Sequence, residues 1–152
     1  MRSRTPADRR DAETAAALRG GVYRSGDTGR LDEDGYLYLT GRTSELIRTG
    51  GESVWPAEVE TALRGLAGVA DLAIVGIPDE TWGEIVCAAI VPAEGTVPDL
   101  ARLRRHLDGQ LARFKHPRQI VAVPQIPRTP ATGQVQRRRL RDLVTGGAGE
   151  RH

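Results

Sequence analysis

Two apolar runs constrain this chain more than any other feature. They are "VADLAIVGIP", which begins at Val69, and "EIVCAAIVP", which begins at Glu84. Each is almost continuous in Ala, Ile, Val and Leu, and each is closed by a proline. Short, nearly continuous apolar runs of this kind suit strands in the middle of a sheet. Proline ends such a strand because it has no N–H to give to the ladder. The runs therefore read as central strands over residues 71–75 and 85–91, joined by the loop "DETWGE".

The elements around this pair follow from periodicity. Pro56 opens a helix whose Val59, Ala62, Leu63 and Leu66 fall at i, i+3, i+4 and i+7. "DLARLRRHLDGQLA" predicts a second helix with a stripe of Leu100, Leu103, Leu107 and Leu111, and "QIVAV" a last strand over residues 119–123. A short basic helix follows from Val135 to about Leu143, and "TGGAGERH" reads as frayed. Upstream, "YRSGDTGRL", the turn "DEDG" and "YLYLTG" form a hairpin, with Tyr36, Tyr38 and Thr40 on one face and Leu37 and Leu39 on the other. "ELIRTGGESVWP" gives two very short strands around Gly50-Gly51, and an Ala-rich helical stretch runs from Glu13 to Arg19 before Gly20 and Gly21. The order predicts an α+β fold, a short central sheet with flanking helices on one face and a β-hairpin before it. A compact domain is expected over residues 42–143, with residues 1–20 mobile or ordered by a partner and a flexible tail at 144–152.

Composition narrows the function classes. At 152 residues, 39% hydrophobic and 28% charged, the chain has the balance of a soluble globular protein with one real core. Its longest apolar run is too short to span a bilayer, and no apolar signal core marks the N-terminus, so a cytoplasmic protein without membrane partners is expected. The single cysteine, Cys87, lies inside an apolar run and reads as a small buried hydrophobe. Lys115 is the only lysine among 22 Lys and Arg. That skew, with abundant Ala and Gly, points to a GC-rich bacterial genome. A net charge of +2 gives no strong field, and "RRRLR" at 137–141 has no interleaved aromatics, so nucleic acid is not the expected partner. His106 reads as part of a solvated helix face and His116 as a turn marker, and no spacing suits a metal.

Three segments, in order, carry a resemblance: "YRSGD" (23–27), "GRTSELIRTGGESVWPAEVE" (41–60) and "PRTPATGQVQRR" (127–138). Together they resemble the C-terminal end of the adenylate-forming enzymes, the acyl-CoA synthetases, peptide-synthetase adenylation domains and luciferases, over roughly residues 14–143. "GGESVWPAEVE" is most similar to the acyl- and aryl-CoA ligases. The resemblance implies ATP-dependent activation of a small carboxylic acid as an acyl-adenylate, followed by thioester formation. It makes Asp27 the carboxylate that accepts the ribose hydroxyls and Arg42 the guanidinium that reaches the nucleotide. Gly50 and Gly51, followed by Glu52, become the loop lining the pantetheine tunnel, and glycine there lets backbone approach a ligand closely. Glu58 and Glu60 lie on the next helix, where a solvated face suits them equally well. The implied cofactors are ATP and AMP with Mg, and coenzyme A or a carrier-protein pantetheine, none held tightly by this chain alone.

The chain also departs from the family. The hinge position, usually Asp or Lys, falls on Ser44. The catalytic lysine position falls on Gln134, which keeps a hydrogen bond but no charge; loss of one such donor costs on the order of 10²–10³ in rate. Arg137 and Arg138 lie nearby on the succeeding helix. The phosphate-binding loop and acyl pocket belong to a large N-terminal domain that 152 residues cannot contain, and residues 1–41 read as its last remnant. Two functions are open: the C-terminal part of such a ligase, completed by that domain in the same or a separate chain, or a non-catalytic binding or regulatory module. Alone, the chain is expected to form no acyl-adenylate.

Overall fold

The structure, a computed structural model, describes Leu18–Arg19, Val22–Tyr23, residues 25–146 and Glu150–Arg151. The chain divides after Ser44 into two compact units.

The first unit holds two antiparallel ladders. Strand β1 (Leu18–Arg19) pairs with β2 (Val22–Tyr23), and β3 (Asp27–Leu31) with β4 (Leu37–Arg42). Leu18 and Arg19, expected to end a helix, are therefore strand; a short Ala-rich run does not hold a helix without tertiary support. Residues 13–17, the rest of that helical expectation, lie outside the described residues, as do Gly20 and Gly21. The hairpin turn is built on Asp32, whose carbonyl accepts the Gly35 N–H at 3.1 Å and whose carboxylate accepts the amides of Asp34 and Tyr36. The bond from Tyr36 is the main reason its pKa lies below the ordinary value. Leu31, Tyr36, Leu37, Tyr38 and Leu39 are all more than half exposed.

The second unit is a six-stranded sheet. Strands β7 (Val69–Asp79) and β8 (Gly83–Pro92) are the expected central pair, antiparallel from Val69–Pro92 to Asp79–Gly83. Strand β9 (Gln119–Ala122) runs parallel to β8, with Cys87 opposite Gln119. A parallel neighbour requires a crossover, and helix α2 (Leu100–Leu107) supplies it. The short hairpin β5 (Ile47–Thr49) and β6 (Glu52–Val54) meets β8 where Thr49 pairs with Gly83. Helix α1 (Pro56–Ala62) follows β6, and α3 (Arg137–Thr145) follows β9.

Alternation along the central strands splits the core in two. Ile74, Val86, Ala88, Ile90 and Ile120 pack on Val59 and Leu63 of the α1 segment and on Leu103 and Leu107 of α2. Ala73, Val75, Cys87, Ala89 and Val121 pack on Leu140 and Val144 of α3. The sheet thus carries helices on both faces, a correction to the one-face arrangement expected; a strand pair without a polar side leaves no alternative. Helix α2 stops at Leu107, so Leu111 lies beyond it and reaches the core from the following turn. In the segment expected to be frayed, α3 continues to Thr145 and β10 (Glu150–Arg151) pairs with Ala122 and Val121. Among the described residues no helix is long and apolar enough to cross a membrane.

Because both layers close one sheet, Leu63→Ala and Leu140→Ala, each in a fully buried position, should each cost about 2–5 kcal/mol. Urea unfolding should show one cooperative transition of the second unit in both variants. A Leu140→Ala protein as stable as the parent would remove α3 from the core.

Candidate functional site

The glycine turn between β5 and β6 is the most constrained loop. Gly50 and Gly51 have φ values of 57° and 84°, the left-handed region that side chains disfavour. Gly50 donates its N–H to the Trp82 carbonyl at 2.9 Å, and a Cβ at Gly50 would lie 2.6 Å from Trp82 Cε3. The indole therefore rests directly on glycine backbone. Nothing lies within 4 Å of a Cβ built on Gly51, which faces open space. Trp82 is held by its own turn, where the Asp79 carboxylate accepts the amides of Thr81 and Trp82. On the indole lies the Arg118 guanidinium, 4.0 Å from the ring centroid, a cation–π contact. Glu52, exposed, opens β6 opposite Thr49.

Arg118 also lines a cleft of about 390 Å³ with Arg104, Asp108, Arg113 and His116. Three guanidinium groups against one carboxylate make it an anion-attracting surface. Arg104 is oriented by donating Nε–H to the Pro117 carbonyl at 3.3 Å. His116 is buried, with Nε2 3.1 Å from the Leu111 carbonyl, so this nitrogen carries the proton. His106 is not on a solvated face: its Nε2 meets the Ala62 carbonyl at 3.1 Å and docks α2 on the end of α1.

The second candidate loop, residues 128–135, keeps a full scaffold around Gln134. Thr129 donates its N–H to the Gln134 carbonyl and Gly133 donates to Thr129, both at 2.8 Å. Arg128 gives Nη1–H to the Gly133 carbonyl at 3.2 Å and Nη2–H to Asp71 at 2.8 Å. Gln134 itself is exposed. Arg137 is not free to replace a lysine, because its side chain, 15% exposed, is engaged by Glu45 and Glu60. Arg138 is exposed on the first turn of α3. Glu58 accepts from Lys115 Nζ at 2.6 Å, so neither helix carboxylate is merely solvated.

These two loops stand at opposite ends of one strand. Asp71, near the start of β7, anchors the Gln134 loop, and Asp79, its last residue, anchors Trp82 and the glycine turn. Eight residue steps of extended chain separate them, about 26 Å.

In the first unit Asp27 and Arg42 are register partners, with Arg42 Nε 3.6 Å from the carboxylate. The pair is exposed enough to contribute little to stability, which leaves both groups available to a ligand. Thr43 binds the Gly26 carbonyl through its N–H and its hydroxyl, and Ser44 is the last residue of this unit. Cys87 is sealed in the core, and burial pushes its thiol up to about 12, which leaves it protonated and inert at neutral pH. Among the described residues no group of three or more His, Cys, Asp or Glu is arranged to hold a metal ion.

Trp82 and Arg118 escaped the sequence reading. The one local signal was an aromatic residue immediately before Gly83 in an otherwise polar turn.

Known proteins resemble this chain in sequence and fold. Residues 58–132 match the AMP-binding enzyme C-terminal domain. The indoleacetate–CoA ligase of Aromatoleum aromaticum is 43% identical over 131 residues, covering 86% of this chain and 26% of the relative. The fatty acid–[acyl-carrier-protein] ligase of Streptomyces coeruleorubidus is 43% identical over 134 residues, 88% of this chain and 26% of its own length. ATP-bound MatB from Rhodopseudomonas palustris superposes with a TM-score of 0.77 at 37% identity, over 88% of this chain and 27% of that one. The chain thus spans about a quarter of the curated relatives it matches.

Gly50→Ala should force the indole aside and strain the turn, costing about 1–3 kcal/mol, whereas Gly51→Ala carries the backbone cost alone, about 1 kcal/mol. In a Trp55→Phe background the Trp82 fluorescence maximum should shift in the Gly50 variant only. Equal shifts in both would mean that the indole does not rest on Gly50.

Proposed function

The chain belongs to the AMP-binding enzyme C-terminal domain family of the adenylate-forming enzymes, and from that premise we propose that it is the turning part of an acid–thiol ligase of the acyl- or aryl-CoA type. The observation that carries this reading is the placement of the two loops at opposite ends of β7, where their anchors Asp71 and Asp79 are about 26 Å apart along the extended strand. Loops so far apart cannot serve one reacting centre together, so each serves it in turn, one per half-reaction. In the first, a substrate carboxylate attacks the α-phosphorus of Mg–ATP and pyrophosphate leaves, with the Gln134 end facing the centre. In the second, a thiol attacks the acyl carbonyl and AMP leaves, with the glycine turn facing it. Rotation about Ser44 exchanges the ends, and the division of the chain after this residue supports that pivot. Asp27 holds the ribose hydroxyls and Arg42 the nucleotide. The large domain with the phosphate loop and acyl pocket, in the same or a separate chain, covers the exposed leucines and tyrosines of the β3–β4 hairpin.

The thiol acceptor is coenzyme A. The cleft lined by Arg104, Arg113, His116 and Arg118 adjoins the glycine turn through the Arg118–Trp82–Gly50 contacts, which favours an acceptor bearing several phosphates on its pantetheine. One observation favours the other reading, a module that docks without activating an acid: Gln134 stands on an otherwise intact loop.

With a large adenylation domain present, Gln134→Lys should raise acid-dependent pyrophosphate exchange about 10²-fold and leave thiol attack on supplied acyl-adenylate unchanged. Arg118→Glu should raise the KM for coenzyme A about tenfold or more, as one lost charge-assisted contact implies, without affecting exchange. If neither variant alters either half-reaction, the docking-module reading holds.

A further inference from the structure

Glu45, the residue immediately after Ser44, is held from the far end of the sequence. Arg137 gives Nε–H to Glu45 at 3.0 Å, Nη1–H to Glu60 at 2.6 Å and to the Ile74 carbonyl at 2.8 Å, and Nη2–H to the second Glu60 oxygen at 3.2 Å. Glu60 in turn accepts the Ile74 N–H at 2.9 Å. One guanidinium thus joins α3, α1, β7 and Glu45, the first residue of the second unit. All three charged side chains are largely shielded, 15% exposed for Arg137 and 22% for each glutamate. Burial alone would lower the arginine's pKa; the hydrogen bonds and charge of Glu60, then of Glu45, more than reverse this. Arg137 also meets both polar groups of Ile74 at the β7 edge, directly at the carbonyl and through Glu60 at the amide.

Thr43, at the start of the 3₁₀ turn Thr43–Glu45, is tied to the Gly26 carbonyl, but beyond Ser44 the turn has little else to order it. None of its residues is buried, and the first deeply buried side chain downstream is Ile47, 1% exposed. We infer that Arg137 is a positioning residue that fixes where the pivot ends: by gripping Glu45 it makes the turning body begin directly after Ser44. Without it the loose stretch lengthens toward Ile47, and the turning body reaches the reacting centre in a wider spread of orientations, which slows both half-reactions. This rests on the reading of Ser44 as a pivot.

Backbone ¹⁵N relaxation on the full chain tests it. In the parent, Glu45 and Leu46 should have order parameters near the rigid-backbone value of about 0.85, and Arg137→Met should lower them below about 0.6. Arg141 is the control on the same helix: its Nη1–H reaches Glu84 at 2.9 Å but its side chain is 40% exposed, and Arg141→Met should leave Glu45 and Leu46 rigid. Should Arg137→Met fail to fold, with two shielded carboxylates left unpaired, Glu45→Ala decides. That variant keeps the Arg137–Glu60 pair and should loosen the same two residues. Where all variants fold, the double variant should add nothing to either single one. Rigid residues 45 and 46 in Glu45→Ala, or equal loosening in Arg141→Met, would overturn the inference. Neither result depends on ligase activity, so the assignment of the reaction stands or falls separately.

Discussion

The β7–β8 pair has no face that water can cover, and the rest of the second unit follows from that requirement. Val86, Ala88 and Ile90 turn one way, Cys87 and Ala89 the other, and all five are essentially inaccessible. One helical layer could satisfy only half of them, so the chain must return after β9 and lay α3 across the far face. That helix carries four arginines beside its two buried aliphatic residues, Leu140 and Val144. Its charged side therefore has to find partners at its margins. Arg137 finds Glu45 and Glu60, and Arg141 finds Glu84, whose other oxygen accepts the Arg48 amide. Shielded from water, the first of these contacts matters more than an exposed pair would.

A rigid sheet with a distinct loop at each end can serve successive steps at a single centre. The glycine turn is shaped by Trp82, which tolerates no side chain at Gly50, and it adjoins a cleft rich in guanidinium groups. The Gln134 loop is braced by Arg128 to Asp71 and keeps the backbone bonds needed to present a side chain outward. Its tip carries the exposed, uncharged Gln134.

Local pattern revealed strands β3 to β9, the glycine turn and the three helices, because apolar runs, proline stops, turn residues and i, i+3, i+4 spacing are local signals. The covered second face was harder to see: only Leu140 and Val144 mark it, inside a run dominated by arginine. Contacts between distant residues were not visible at all. Glu60 and Arg137 are 77 positions apart, and nothing near Glu60 distinguishes a partnered carboxylate from a solvated one on a helix surface. The Arg118–Trp82–Gly50 stack joins three separate loops, so each residue read singly as surface. The pairing of Glu150 and Arg151 with β9 had no apolar pattern to announce it.

If the protein works in two turns, the two ends of β7 meet different ligands. ¹H–¹⁵N correlation spectra of the labelled chain, recorded while coenzyme A is added, test it most directly. Resonances of Gly50, Gly51, Gly83, Arg118 and the Trp82 indole N–H should shift, with residues 128–134 unmoved. Shifts centred on residues 128–134, or none at the glycine turn at saturating coenzyme A, would contradict it.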